Sequence, residues 1–369
     1  MNPIDRRNFI KLAGLIGASA ALPFSLARAA DKPLVVGFIY VGARDDFGYN
    51  QAHAQAAAII KTLPNVKVIE EENVPETVAV QKSMEAMIRQ DGATLIFPTS
   101  FGYFDPHVLK MAKKYPDVRF AHCGGLWQEG KDPLNAGSFF GYIDEGQYLN
   151  GVVAGHMSQS KKLGFIAAKP VPQVLRNLNA FTLGARSVDP SITVTVIFTG
   201  DWSLPVKEAE AANSLIDRGC DVLTCHVDGP KVIVETAEKR GVMTCGYHAS
   251  QAALAPEGYL TGAEWNWETP YRAHVEAAQA GKPMINFMRG GLKDGFVKTS
   301  AYGPKVSDAA KQQADAIKAQ MLAGSFVIFK GPIKDNKGTV VIAEGTSQPQ
   351  TDVVLERMNY LVEGVQGHI

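Results

Sequence analysis

Nine aromatic side chains stand where a chain normally places small polar residues. Phe47, Tyr49, Phe101, Tyr103, Trp127, Trp202, Tyr247, Trp265 and Trp267 all fall at or just beyond the ends of apolar, strand-like runs, and they include all four tryptophans. Trp202 shows the anomaly best. It lies in Phe198–Pro205 (FTGDWSLP), between the β-branched run ITVTVIF and the helical stretch PVKEAEAANSLIDRG. Rings gathered in this way can clamp a flat, π-rich ligand, where stacking contributes roughly 0.5–1.5 kcal/mol beyond buried area. For any single ring the competing reading is a plug over a sheet edge. Polar groups in the same segments suit the edge of a heterocycle. Asp46, Ser100, Asp228 and Asn266 offer acceptors and donors, and His53 and His226 can do either. Here too plainer roles compete: Asp228 precedes Gly229-Pro230 and can cap a helix, while His53 and His226 can be buried structural histidines. The candidate ligand contacts are therefore Asp46, Tyr49, His53, Ser100, Phe101, Trp202, His226, Asp228, Asn266 and Trp267.

This chemistry is capture rather than catalysis. The first strand is not followed by G-x-G-x-x-G, and G-x-x-x-x-G-K-[ST], G-x-S-x-G and metal-helix patterns are absent from the sequence. No His/Cys spacing points to a metal, no cofactor is expected, and no cluster of Arg and Lys forms an anion cradle. The four cysteines (Cys123, Cys220, Cys225, Cys245) sit in apolar surroundings. Cys225 and Cys245 are the best placed to pair, with buried free thiols the preferred reading.

The elements that must position these residues alternate. LVVGFIY, VKVIE, ATLIF and VRFAHC read as strands, separated by helical NQAHAQAAAIIKTL, TVAVQKSMEAMIRQ (Val80, Met84, Met87 and Ile88 on one face) and a helix near 105–115. A second set runs KLGFIAA, helix 173–187, ITVTVIF, helix 205–218, DVLTCHV, helix 230–240 and GVMTCGY. Alternation of this kind builds parallel sheets with right-handed crossovers. The fold class is α/β, with two tandem parallel-sheet, Rossmann-like lobes. The tail after YLTGAEWNW, with helices near 268–280 and 307–322 and strand-like GFVKTS, SFVIFKG and TVVIAEG, supplies elements to both lobes and makes a multi-strand hinge. Open parallel sheets bind ligands beyond the carboxyl ends of their strands, which is where the aromatic segments fall.

The N-terminus reads as an export signal. Arg6-Arg7, the apolar run LAGLIGASAALPFSLA and Ala27-Arg-Ala29 follow the basic, apolar, small-residue order of a twin-arginine-like signal peptide over 1–29, with cleavage after Ala29. The run is too short and too rich in Ala and Gly to span a bilayer well. Removing it turns 37 basic against 37 acidic residues into 33 against 36, a net of −3. Such a chain has no electrostatic reason to seek nucleic acid. Its length of about 340 residues suits two domains.

Several stretches are similar to one family: DFGYNQAH (46–53), NVPE (73–76), TSFGYFDP (99–106), GARSVDP (184–190), DWSLPVKEAEAANSLIDRGCDVLTCHVDGP (201–230) and EWNW (264–267). Over the whole mature length the chain resembles the basic membrane protein (BMP) family of solute-binding proteins. These serve ABC importers and bind purine nucleosides or free purine bases. Its Asp-x-Gly-Trp turn is matched by Asp46-Phe-Gly-Tyr49, its Thr-Trp by Asp201-Trp202, and its HTDSP-like turn by His226-Val-Asp228-Gly-Pro230. The resemblance implies the class I periplasmic binding protein fold. The lobes would comprise 33–143 plus about 266–302, and 144–265 plus about 303–369. It also implies a monomer in the periplasm, a purine ligand and an inner-membrane ABC permease as partner. Members that hold a nucleoside grip its ribose with an Asp past the eighth strand and a Lys soon after. The nearest positions here carry Tyr247-His248 and Trp265, which favours a free base. The alternatives are a purine nucleoside binding protein, an exported nucleoside-acting enzyme, a sensor subunit or a sugar-binding protein of the same fold.

Overall fold

The computed structural model describes residues 32–369, so the export signal expected over 1–29 lies outside the described residues. The first lobe opens with β1 (Leu34–Ile39), α1 (Tyr49–Ile60), β2 (Val66–Glu71), α2 (Val78–Arg89), β3 (Leu95–Pro98), α3 (Leu109–Lys114), β4 (Arg119–Cys123) and β5 (Ala136–Gly141). Helix α4 (Asp144–Met157) leads into the second lobe. There β6 (Lys162–Ala167), α5 (Pro172–Val188), β7 (Thr193–Phe198), α6 (Pro205–Asp217), β8 (Val222–His226), α7 (Lys231–Lys239), β9 (Met243–His248) and β10 (Tyr259–Trp265) follow. The chain then returns through α8 (Glu268–Gln279) to β11 (Phe287–Gly290), and crosses again to β12 (Val297–Thr299) and α9 (Asp308–Leu322). Short strands β13 (Phe329–Lys330), β14 (Ile333–Lys334), β15 (Val340–Ile342), β16 (Ser347–Gln348) and β17 (Val365–Gln366) complete it.

The two sheets have the same plan. One runs β11-β5-β4-β3-β1-β2 and the other β12-β10-β9-β8-β6-β7-β17. Strands β1 to β5 and β6 to β10 thus occupy equivalent places, and all pairings among them are parallel. The tail does supply elements to both lobes: β11 extends the first sheet in parallel, while β12 joins the second antiparallel. Residues 297–299, grouped with the first lobe by sequence, therefore pair in the second sheet. The chain crosses between sheets after β5, after β10 and after β11, which gives a three-strand connection.

The helices cover both sheet faces, which is why the strands read as continuous apolar runs rather than alternating ones. Phe38 stacks on Phe97 at 4.9 Å, and Tyr271 of α8 meets Phe38 edge-on at 5.0 Å. On the other face Val80, Met84 and Met87 of α2 are buried as their spacing predicts, and Ile88 is half-buried. In the second lobe α4 and α5 pack backbone to backbone. A Cβ on Gly151 would lie 2.0 Å from the Phe181 carbonyl, and one on Gly184 2.1 Å from that of Tyr148. Strand β5 and helix α4 are not among the elements that the sequence pattern predicts. Glycines and polar residues dilute their periodicity, although both are almost wholly buried. All four cysteines are buried free thiols, Cys225 and Cys245 included. Among the described residues no helix is long and apolar enough to cross a membrane.

Candidate functional site

The carboxyl ends of both sheets face each other across a cavity of about 340 Å³. Sites for small molecules fall in the range of roughly 300–1,000 Å³. The first lobe contributes Tyr49 (after β1), Glu76 (after β2), Ser100 and Phe101 (after β3), Cys123 (end of β4) and Phe140 (β5). The second contributes Val171, Pro172 and Gln173 (after β6), Trp202 (after β7), His226 and Asp228 (β8 and its exit), His248 (end of β9) and Trp265 (end of β10). Ten consecutive strands of the two equivalent sets thus each send at least one residue to the wall.

The wall is mostly aromatic. Trp202 is half-buried, with the Lys169 ammonium 5.7 Å from its ring and His226 tilted beside it at 6.0 Å. Trp265 meets Phe140 edge-on at 5.2 Å. Tyr49 stands edge-on to His248 at 5.4 Å, and its hydroxyl donates to the Thr99 carbonyl. Most polar groups on the wall are already engaged. The Ser100 hydroxyl donates to Glu76, which also accepts from the Gly102 amide at 2.7 Å. His226 lies between Asn177, 2.9 Å from Nδ1, and the Tyr247 hydroxyl, 3.1 Å from Nε2; burial lowers its pKa to about 3. The Asp228 carboxylate takes no hydrogen bond from any described residue. Burial, followed by the charges of Asp46 and Glu76, holds its pKa well above the ordinary carboxylate range. Burial keeps His248 well below the ordinary histidine range, with His226 and His53 adding to the shift.

Six of the ten candidates by sequence lie on this wall: Tyr49, Ser100, Phe101, Trp202, His226 and Asp228. Four do not. Asp46 is consumed by its own turn, accepting from the amides of Gly48, Asn50 and Gln51 and from the Asn50 side chain. It therefore ties down the start of α1. His53 sits behind Tyr49, bonded through Nδ1 to the Tyr271 hydroxyl at 2.6 Å and stacked on Trp267 at 5.2 Å. Trp267 is a layer further back, 1% exposed, with its ring 4.3 Å from that of Trp265. Asn266 binds the Gly295 carbonyl and Thr269 in a turn. Of the wall residues left off the sequence list, Trp265 was visible among the strand-end aromatics. Glu76 lay in the NVPE stretch and His248 at the position of the family's ribose grip, without being read as wall residues; Cys123, Phe140, Val171, Pro172 and Gln173 carried no signal that separated them from ordinary loop or strand residues.

The lobes touch at the cavity's rim. The Tyr49 amide donates to the Asp228 carbonyl at 2.8 Å, and the Gln251 side chain donates to the Phe47 carbonyl at 2.5 Å. A second cavity of about 370 Å³ adjoins the first and shares Phe101, Phe140, Val171, Pro172 and Gln173 with it. Its charges are paired with one another. Arg176 bonds Asp144 at 2.9 Å, and Glu356 bridges Arg176 at 3.3 Å and Arg289 at 3.1 Å.

Two parallel-sheet lobes, joined by three crossings and closed over one aromatic cavity at their strand ends, define a substrate-binding protein of the periplasmic binding protein fold. Residues 34–337 match the Bmp family, described as ABC transporter substrate-binding protein PnrA-like, and the chain belongs to that family. It is 36% identical to a purine-binding protein of Brucella abortus, over 95% of this chain and 98% of that one. It is 33% identical to a Haloferax volcanii protein named as a candidate ABC transporter glucose-binding protein, over 90% and 80% respectively. Among solved structures, an ABC transporter system solute-binding protein from Conexibacter woesei superposes with a TM-score of 0.67 at 22% identity, covering 79% of this chain and 97% of that one, which is a likeness of fold.

Proposed function

We propose that the chain captures a free purine base (adenine, hypoxanthine, xanthine, guanine or a close analogue) in the cavity between its lobes. It would then present the base, as a monomer in the periplasm, to an inner-membrane ABC permease. The observation that carries this reading is the cavity wall. Tyr49, Phe101, Phe140, Trp202 and Trp265 supply ring faces and edges, and the Asp228 carboxylate is the one acidic group left without a partner. The purine-binding name of the Brucella relative supports the same ligand class. Preference for the base over its nucleoside follows from the paired charges next door: Asp144, Arg176, Glu356 and Arg289 bind each other, leaving no evident grip for a ribose.

Sugar binding is the second reading, favoured by the name of the Haloferax relative. A sugar needs many hydrogen bonds, and this wall offers few that are free. The test is calorimetry on stripped protein with adenine, hypoxanthine, xanthine, guanine, adenosine and glucose. A purine base should bind most tightly. Adenosine binding tenfold tighter than adenine, about 1.4 kcal/mol, would overturn the preference for the base. Glucose binding with no purine binding would overturn the reading altogether.

A further inference from the structure

His248 ends β9 with its backbone at φ 72°, in the left-handed region that residues other than glycine seldom occupy. Such a placement persists where the surroundings over-determine it, and it clusters at ligand clamps. Here the surroundings aim the ring. The side chain lines the cavity, and the residue is 3% exposed. Its Nδ1 accepts the indole N–H of Trp265 at 2.8 Å, which leaves the proton of the neutral ring on Nε2. That Nε2 is buried and has no hydrogen-bond partner among the described residues. The β8–β9 register, carried forward, sets His248 opposite Val227, yet the Val227 carbonyl near the ring falls outside hydrogen-bonding geometry. A buried donor without a partner is costly in the empty site, and the cost is removed when a ligand supplies an acceptor.

Most other donors on the wall are spent, and the two that are free, the Gln173 amide and the Trp202 indole N–H, belong to half-buried residues that water can reach. The Ser100 hydroxyl is spent on Glu76, the Tyr49 hydroxyl on Thr99, and both His226 nitrogens face Asn177 and Tyr247. Asp228, one strand over from His248, remains as a free acceptor.

We propose that His248 is the specificity-determining donor of the site. Its Nε2–H bonds an accepting ring nitrogen or oxo oxygen of the bound heterocycle, and Trp265 is the positioning residue that fixes the tautomer. The inference rests on the purine reading above and gives it a polarity. The ligand turns an acceptor toward His248 and an N–H toward Asp228, so its polar edge faces the second lobe. The rings of Tyr49, Phe101 and Phe140 then meet its faces and apolar edge from the first lobe.

Calorimetry on the full stripped chain tests this, with adenine, hypoxanthine, unsubstituted purine and the 1-, 3- and 7-deaza analogues of adenine and hypoxanthine. Wild type is compared with His248→Gln, His248→Phe and Trp265→Phe. In wild type, deleting one acceptor, and only that one, should weaken binding about tenfold or more. In His248→Phe the parent base should itself bind about tenfold more weakly, and the same deletion should then cost less than about threefold. His248→Gln keeps an N–H donor and should retain part of the discrimination. Trp265→Phe keeps a ring but releases the tautomer, so its discrimination should fall between wild type and His248→Phe. A purely structural role for His248 would weaken all analogues alike, and that pattern overturns the proposal. Should His248→Phe fail to fold, unchanged discrimination in Trp265→Phe overturns it instead. If no purine binds wild type, the purine reading itself fails and takes this one with it. Purines that bind without any deaza effect, and with no gain from the 6-oxo group over unsubstituted purine, refute the donor role alone.

Discussion

Trp202 lies in a strand-to-helix turn, where its ring lines the cavity wall and only its edge packs against the core. It is half-buried, and its closest aromatic neighbour is the His226 ring at 6.0 Å. Replacing it with Ala should therefore weaken binding of the best purine by about 2–4 kcal/mol, the range for buried aromatic anchors. The melting temperature without ligand should scarcely move. Trp202→Phe keeps a π face and should recover much of the loss. A ring serving only as a plug would give the reverse: a large fall in melting temperature and little change in affinity. Paired thermal melts and titrations of both variants separate the two. Asp46 and Asn266 have side chains just as polar as Asp228, yet backbone amides and turn carbonyls consume them. What makes Asp228 available is that its own loop offers its carboxylate no donor.

Helices α4 and α5 hold the second lobe to the crossing between lobes, and a buried ion pair joins them. Arg176 on α5 is 6% exposed and Asp144, opening α4, is 2% exposed. Removing Asp144 leaves a guanidinium in the interior with only the half-exposed Glu356 and Gln350 to answer it. Asp144→Ala should thus destabilise the fold by about 3 kcal/mol, the usual scale for stranding one partner of a buried pair. Glu356→Ala should cost less than about 1 kcal/mol, because its carboxylate is 45% exposed and screened. Urea titrations of the two variants check the contrast; equal losses would mean that Glu356 neutralises Arg176 as much as Asp144 does.

The two lobes meet where Gly48 passes beneath the Asp228 carbonyl. A Cβ on Gly48 would stand 1.9 Å from that oxygen. Gly48→Ala should leave each lobe folded but keep the rim from closing. We expect ligand affinity to fall about tenfold or more, or about 1.4 kcal/mol, and the radius of gyration to respond less to saturating purine than in wild type. A wild-type scattering curve that ignores ligand would show that closure is not part of binding. Acid should also act on the whole fold. His274 is buried against Phe97 and Phe139, and its pKa is lowered to about 3. The unfolded chain takes up its proton near pH 6.5. Its contribution to stability is therefore complete above that value and is lost as pH falls toward 3. Between pH 7.5 and 5.0 this one residue should cost about 2 kcal/mol, so a folded His274→Phe variant should lose about that much less than wild type over the same interval.

Much of this architecture was readable from local pattern. Short continuous apolar runs and period-3.6 runs placed eight strands and most helices, and the repeat of the pattern predicted the two equivalent sheets. The rule that ligands sit beyond parallel strand ends puts the aromatic segments beside a cavity from the sequence alone. The pattern failed where burial does not require it. Strand β5 and helix α4 are enclosed on every side, so glycines and polar residues satisfied by neighbours serve there as well as an apolar stripe. It failed also within the site, at the choice between neighbours in one loop. Trp265 faces the cavity while Trp267, two residues later, stacks behind it; Asp228 is free while Asp46 is bonded; and His248 exposes an unpartnered nitrogen while His53 does not reach the wall. A sequence states which side chains a segment carries. Which of them a turn spends on its own backbone, and which it leaves for a ligand, depends on how the turn closes, as at Asp46, and on tertiary partners as distant as Tyr271 is from His53.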